Sequence, residues 1–337
     1  MLTQLSLTSL SWSESTLALP AGFLKGTAPR LQVIRLSGIA CPALPRIVLS
    51  TSNLVELSLS NLFPSGCISP EAIVASLAAL PRLEIFAIKF RSATSPDRIC
   101  SPPVTRTILP SLTFFLFLGA NEYLEDLVGR IDGPRLNAIY ISYSDDGHVS
   151  RQVVQLSRFI DCSVGPQLTK SNHATVYFAP GGVAFSFCHR TNDPDQDLPV
   201  IAISCKEVHW SFTTTPQVLC QFLTPLSNVV HLNLNNRIDN QVLDPRIDWL
   251  HLFHQFSSVQ TLYVHRYLSG HIALVLEGIT AEMVAVVLPS LELIFLEDQP
   301  SSSIEKFDSA RRVSGRPITV VHSEEEFDKR LEAYFSN

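Results

Sequence analysis

The apolar positions of this chain recur in a fixed beat. In Ser52-Asn53-Leu54-Val55-Glu56-Leu57-Ser58-Leu59 leucine stands at places one, four and six after Asn53. The same phrase returns as Leu2/Leu5/Leu7, Leu31/Ile34/Leu36, Leu83/Phe86/Ile88, Leu112/Phe115/Phe117, Leu136/Ile139/Ile141, Val229/Leu232/Leu234, Val259/Leu262/Val264 and Leu291/Ile294/Leu296. The first residue of each phrase is its anchor, and successive anchors lie 29, 23, 29, 29, 24, 93, 30 and 32 residues apart. Places four and six fall on one side of an extended strand, so each phrase predicts one short strand with one buried face. A unit of about 20 to 30 residues with one strand in each is the mark of a stacked repeat. Pro29, Pro81, Pro110, Pro134 and Pro289 each stand two residues before an anchor. Proline there is expected to stop the preceding helix and extend the chain into the strand.

The pattern predicts an α/β leucine-rich-repeat-like solenoid over residues 1–322, with a mainly parallel sheet and irregular repeats. Between strands, Ser69 to Leu80 predicts a helix: Ser69 caps, Pro70 suits the first helical position, and Ile73, Leu77 and Leu80 share a face. Asn121 to Val128 and Ser150 to Asp161 predict two more, the second on Val153, Val154, Leu156 and Ile160. Arg91 to Pro103, rich in Ser and Pro, predicts surface loop. The long gap contains alternating strands at Ala174–Ala179 and Val183–Cys188 around Pro180-Gly181-Gly182, with Val200–Ser204 and Val208–Phe212 also extended. This predicts an antiparallel β insertion over about 172–212, replacing one or two ordinary units. Thr215-Pro216, Asp244-Pro245 and Ser303 open further helices, the last stopped by Gly315, and Ile318–Val321 is extended again. Ser323-Glu324-Glu325-Glu326, followed by Phe327, Leu331 and Phe335, predicts a C-terminal capping helix over 323–337. At the other end Met1 leads straight into a phrase, and the Leu2/Leu5/Leu7 unit is expected to fray.

Composition narrows the function. With 46% hydrophobic and 17% charged residues the 337-residue chain is expected to be ordered, and stacking lets it exceed the size of a single core. A net charge of -6 with scattered Lys and Arg leaves no basic stripe, so no nucleic-acid partner is expected. The seven cysteines are never spaced C-x-x-C, which points to reduced thiols in a cytoplasmic or nuclear protein. Glu277, Gly278 and Glu282 interrupt the longest apolar run, Ile272–Leu288, so no membrane segment is expected and the run reads as one or two buried helices. His251 and His254 share a helical face without a third ligand, Asp145-Asp146-Gly147 reads as a turn, and the nucleophile and phosphate-loop motifs are absent. No catalytic residue, cofactor or metal is expected.

What remains is the strand side opposite the leucines. Its central row is place five of each phrase: Ser6, Arg35, Ser58, Ala87, Leu116, Tyr140, Asn233, Tyr263 and Phe295. The row begins small and polar and turns apolar or aromatic from Leu116 on, with Phe114 and Leu118 beside Leu116. Large apolar side chains on a face that should be wet mark either a docking patch or a surface covered by the insertion. Leu116, Tyr140, Tyr263 and Phe295 are therefore the candidate partner-binding residues. The repeats also lack the consensus Asn or Cys eight places after the anchor, where Leu10, Ile39, Leu62, Arg91, Ala120, Ser144, Arg237, Tyr267 and Gln299 stand instead. The turns must satisfy their backbone groups in another way.

Three phrases carry a resemblance: Trp249-Leu250 through Phe256 to Val259/Leu262/Val264; Val287-Leu288-Pro289-Ser290-Leu291 to Phe295-Leu296-Glu297; and Phe307-x-x-Ala310-Arg311-x-x-Ser314-Gly315-x-Pro317-Ile318. With these the chain resembles the repeat region of F-box/leucine-rich-repeat-like proteins of mushroom-forming fungi. The resemblance implies a non-catalytic scaffold that selects a protein substrate for a cullin-type ubiquitin ligase. The F-box that holds a Skp-type adaptor normally precedes such repeats, and no Leu-Pro-x-Glu helical segment precedes Leu2, so that adaptor is an expected partner only if an upstream F-box exists. An enzyme with residues converging from several repeats, or an inactive fragment, are the alternatives.

The register itself is testable. Leu57→Ala, a buried truncation, is expected to cost about 2 to 4 kcal/mol, and Ser58→Ala next to it close to nothing. Equal losses in denaturant melts would refute the assignment of inward and outward places.

Overall fold

The computed structural model describes residues 2–9, 17–20, 23, 28–40, 44–49, 51–63, 68–91, 105–144, 154–163, 171–179, 182–188, 201–206, 227–236, 249–297 and 302–322. The fold is mixed α/β, with thirteen strands in mostly parallel sheet structure. The chain divides into two compact units, Met1–Pro166 with Cys205–Glu207, and Gln167–Ser204 with Val208–Asn337.

In the first unit β1 (Gln4–Thr8), β3 (Val33–Ser37), β5 (Glu56–Leu62), β6 (Ile85–Phe90), β8 (Phe114–Ala120) and β10 (Ala138–Ser144) lie side by side in chain order, every pair parallel. The two-residue strands β2 (Leu17–Ala18) and β4 (Ile39–Ala40) pair with each other, as do β7 (Thr107–Ile108) and β9 (Ile131–Asp132). Helices α1 (Leu44–Leu49), α2 (Pro70–Leu77), α3 (Asn121–Gly129) and α4 (Val154–Ser163) fall between or after the main strands. The phrases pair place for place: Leu57 with Ile34 and Phe86, Leu59 with Leu36 and Ile88, Phe115 with Phe86 and Ile139. These side chains are fully buried. Each contributes on the order of 2 kcal/mol by leaving water. Leu5 and Leu7 of β1 are only half-buried, having a described strand on one side alone.

The turns carry the repeat as much as the leucines do. From the second phrase of this unit on, the anchor amide donates to the carbonyl three residues earlier, Leu31 to Ala28, Leu54 to Thr51, Leu83 to Leu80, Leu112 to Leu109 and Leu136 to Gly133, at 3.0 to 3.3 Å. The residue after the anchor then offers one carbonyl to two successive amides of the next unit: Gln32 to Val55 and Glu56, Val55 to Glu84 and Ile85, Glu84 to Thr113 and Phe114, Thr113 to Asn137 and Ala138. Pro29, Pro81, Pro110 and Pro134 accordingly occupy the second residue of a four-residue turn, where a fixed φ is favoured. The expectation that they extend the strand is corrected: they shape the turn before it.

The side chain just before the anchor completes the stack in some units. Asn53 Nδ2 donates to the Pro29 carbonyl at 2.7 Å and Ser111 Oγ to that of Pro81 at 2.8 Å. This is how the chain does without the consensus asparagine: its polar rungs sit on the turn that enters the strand. Where β5 leaves its pairing between Leu59 and Leu62, Asn61 takes a left-handed φ of 52° and its Nδ2 reaches Ser37 Oγ at 2.8 Å.

Helix α2 begins as its sequence dictates, with Ser69 Oγ accepting the Ala72 amide at 3.3 Å and Pro70 in the first turn. In α4 the buried face is Leu156, Phe159 and Ile160, and Val154 is exposed, contrary to the expected stripe. Charge ties α3 to α2, with Arg130 at the end of α3 binding Asp126 at 2.8 Å and Glu71 of α2 at 2.7 Å, and Arg106 beside β7 binds Asp132 of β9 at 2.7 Å. Glu125 on α3 accepts the amides of Gln155 and Leu156 at 2.9 and 3.0 Å, capping α4 from the neighbouring helix.

In the second unit β11 (His173–Ala179), β12 (Gly182–Cys188) and the Ile201–Ser204 part of β13 (Ile201–Lys206) form the expected antiparallel meander. Its first strand has a double role, since β11 also pairs in parallel with β14 (His231–Asn236), Ala174 beside Leu232 and Val176 beside Leu234. The Asn172 carbonyl takes the amides of Val230 and His231 just as the other turns do. Buried Ser171, Ala174 and Val176 are thus a repeat phrase without a leucine, and the insertion proper is confined to the strands after it. From β14 the parallel order runs on through β15 (Thr261–Val264), β16 (Leu293–Leu296) and β17 (Thr319–His322). Helices α5 (Trp249–His254), α6 (Arg266–Glu277) and α7 (Ser302–Val313) alternate with them. The apolar run from Ile272 resolves into the end of α6 and a 3-10 turn at Met283–Ala285.

Arg311 of α7 is 1% exposed and has no carboxylate partner among the described residues. Its guanidinium instead donates to three backbone carbonyls, Arg316 at 2.9 Å, Leu288 at 3.0 Å and Leu291 at 2.6 Å, fastening the turn that enters β16. Burial, and to a lesser degree the nearby Arg316, lower its pKa from the ordinary arginine value. Gly315, with φ of 73°, closes the helix just beyond. Ser290 Oγ and Arg316 Nη1 add the same turn rungs, to Ser257 at 2.9 Å and Pro289 at 3.1 Å. The expected loop 92–103, the strand Val208–Phe212, the starts at Thr215 and Asp244 and the capping helix 323–337 lie outside the described residues.

Glu125 gives a pH test. Burial raises its pKa above 4.5, against the opposing effect of the two amides it accepts. The folded chain then holds this proton more tightly than the unfolded one, so its contribution to stability is greatest below pH 4.5 and falls as pH rises through the raised folded value. The stability advantage of the wild type over Glu125→Gln is expected to shrink across that window in urea melts at stepped pH. A constant or widening advantage would refute it.

Candidate functional site

Strand alternation turns places three, five and seven of each phrase away from the leucines. In the first unit β6 turns out Ile85, Ala87 and Lys89; β8, Phe114, Leu116 and Leu118; and β10, Ala138, Tyr140 and Ser142. Register sets Leu116 between Ala87 and Tyr140, and Leu118 between Lys89 and Ser142. Phe114 and Tyr140 stand diagonally with ring centroids 5.3 Å apart. Ala87 and Ala138 are buried beneath their larger neighbours, while Ile85, Phe114, Leu116, Leu118 and Tyr140 are half-buried. The result is an apolar platform three strands wide with part of every large side chain open to solvent.

Toward β1 the same face becomes polar. Arg35 and Glu56 form a two-pronged ion pair, Nε to Oε1 at 2.5 Å and Nη2 to Oε2 at 2.6 Å. It neutralises both charges on the surface, and Glu56 raises the already high pKa of Arg35. Ser6 and Ser58 fill the row beside them. Lys89 is not among the residues the sequence singles out, although place seven marks it as outward.

The second unit corrects two of the four candidates. Tyr263 and Phe295 are adjacent in register on β15 and β16, stacked face to face with centroids 4.8 Å apart and planes 5° apart. They are 5% and 2% exposed, with Leu293 and Val321 packed against them. Neighbouring parallel strands lie about 4.8 Å apart, the spacing at which rings in one row stack and shield each other. As the protein stands these rings are core. Leu116 and Tyr140 keep open surface. In the same unit His173 and His231, paired on β11 and β14, also stack, at 4.6 Å.

For other chemistry, the described residues hold no group of three or more His, Cys, Asp or Glu placed to share a metal ion. His254 is exposed on α5, while the His251 side chain and Asp145-Asp146-Gly147 lie outside the described residues. His265 and Glu297 approach to 3.3 Å beside the start of α6, where Glu297 also accepts the Arg266 amide at 2.9 Å, an arrangement that caps a helix. No described helix is long and apolar enough to cross a membrane. No family model matches the chain, and no curated protein proves similar to it.

Burial separates the candidates in energy. Phe295→Ala is expected to cost about 3 to 5 kcal/mol, and half-exposed Leu116→Ala about 1 kcal/mol or less. Similar losses from both in urea melts would mean that Leu116 is core as well.

Proposed function

We propose that the protein is a non-catalytic, leucine-rich-repeat-like solenoid whose outward sheet face in the first unit binds another protein. The half-buried platform of Phe114, Leu116, Leu118 and Tyr140 carries this reading, because large apolar and aromatic groups gathered on a wet face supply the centre of an interface. Consecutive parallel strands in register and stacked entry turns support the solenoid half of the proposal. The resemblance to fungal F-box repeat proteins adds a role for that binding. The platform would choose a substrate for a ubiquitin ligase, with the Skp-type adaptor contributed through an F-box where one is joined to these repeats.

The test is capture from native lysate by the wild-type chain and by Leu116→Glu/Tyr140→Ala. Burying a carboxylate in an apolar interface and removing an aromatic anchor together are expected to weaken capture about tenfold or more, with a melting temperature within a few degrees of wild type. Glu282→Lys, an exposed change in the second unit, is expected to leave capture intact. Undiminished capture by the double variant would overturn the reading.

A further inference from the structure

We propose that the platform on β6, β8 and β10 takes a peptide segment in which an acidic side chain stands beside two apolar ones, its carboxylate meeting Lys89. The inference rests on the protein-binding reading above and names the chemistry of the partner. Among the nine outward places of these three strands Lys89 is the single charge. It is half-buried, in register beside Leu118 and one strand-step from the Leu116 row. Among the described residues its ammonium has no ion-pair partner, whereas Arg35 and Glu56, toward β1 on the same face, are spent on each other.

That arrangement discriminates. An occupant that is apolar throughout would cover Leu116 and Leu118 and strip water from Lys89 without replacing it, which disfavours the complex. A second copy offering this same face brings another lysine and no carboxylate from those nine places. An occupant with Asp or Glu meets the ammonium while its neighbouring apolar side chains cover Leu116 and the outer edges of the touching Phe114 and Tyr140 rings. The attraction strengthens as the contact dries, because the local dielectric falls. Outward places lie about 7 Å apart along a strand and about 5 Å apart between strands, so the acidic residue belongs within about two residues of an apolar anchor.

The experiment is selection of random dodecapeptides displayed on phage against the full chain, followed by fluorescence anisotropy with the selected peptides. The expected sequences pair Asp or Glu with two nearby apolar residues. Their affinity is expected to fall about tenfold or more with Lys89→Glu, to stay close to wild type with Lys89→Arg, and to be lost with Leu116→Glu, all three variants melting near the wild-type temperature. Changing the selected acid to its amide is expected to weaken binding in step with Lys89→Glu. Peptides that need Leu116 yet ignore Lys89, or that show no acidic enrichment, would overturn this inference and leave the protein-binding reading standing. A selection yielding no peptide that depends on Leu116 would overturn both.

Discussion

Everything in this protein depends on how one strand is told where to begin beside the last. A parallel ladder slipped by one residue would turn every leucine outward and every serine inward. The chain prevents that with backbone chemistry: the carbonyl after most anchors takes two amides of the following unit, so entry point and register are fixed together. The inward side chains then have a single way to stack. Prolines on the turns limit the alternatives available to the unfolded chain, and the Asn53, Ser111, Ser290 and Arg316 side chains bond the turns to one another.

That economy explains which residues are indispensable and which are free to change. Ser171, Ala174 and Val176 keep β11 in the ladder with no leucine among them, because backbone bonds hold the register while the phenylalanines of β12 fill the space. Arg311 shows the opposite case. A buried guanidinium with no carboxylate among its described partners is costly to desolvate, and three hydrogen bonds to carbonyls offset the cost while locking the turn into β16. The phrase Phe307 to Ile318 therefore has a structural job at this turn.

Fixing the inward places leaves the outward ones open to vary, and the two units use theirs differently. On β15 and β16 the outward row holds two rings that stack and are buried. On β6, β8 and β10 it holds a mixed platform, aromatic, aliphatic and cationic, still partly wet. The same positional rule thus produces core in one place and an open apolar surface in the other, according to the size and packing of neighbours.

The sequence by itself determined the strands, their inward places and much of the helix placement, because periods of two and of about 3.6 are local and each phrase carries its own copy. It marked Leu116 and Tyr140 as outward on the same grounds. Tertiary structure decided what local pattern does not carry. Proline spacing is legible in the chain but its role in a turn is not, since the partner carbonyl belongs to another repeat. The strand at Ala174 reads as insertion because its membership of the parallel ladder lies in hydrogen bonds to β14, about sixty residues on. Tyr263 and Phe295 look like Leu116 in sequence and are buried in the structure, because exposure depends on what packs over a face, and that is set by contacts between segments far apart in the chain.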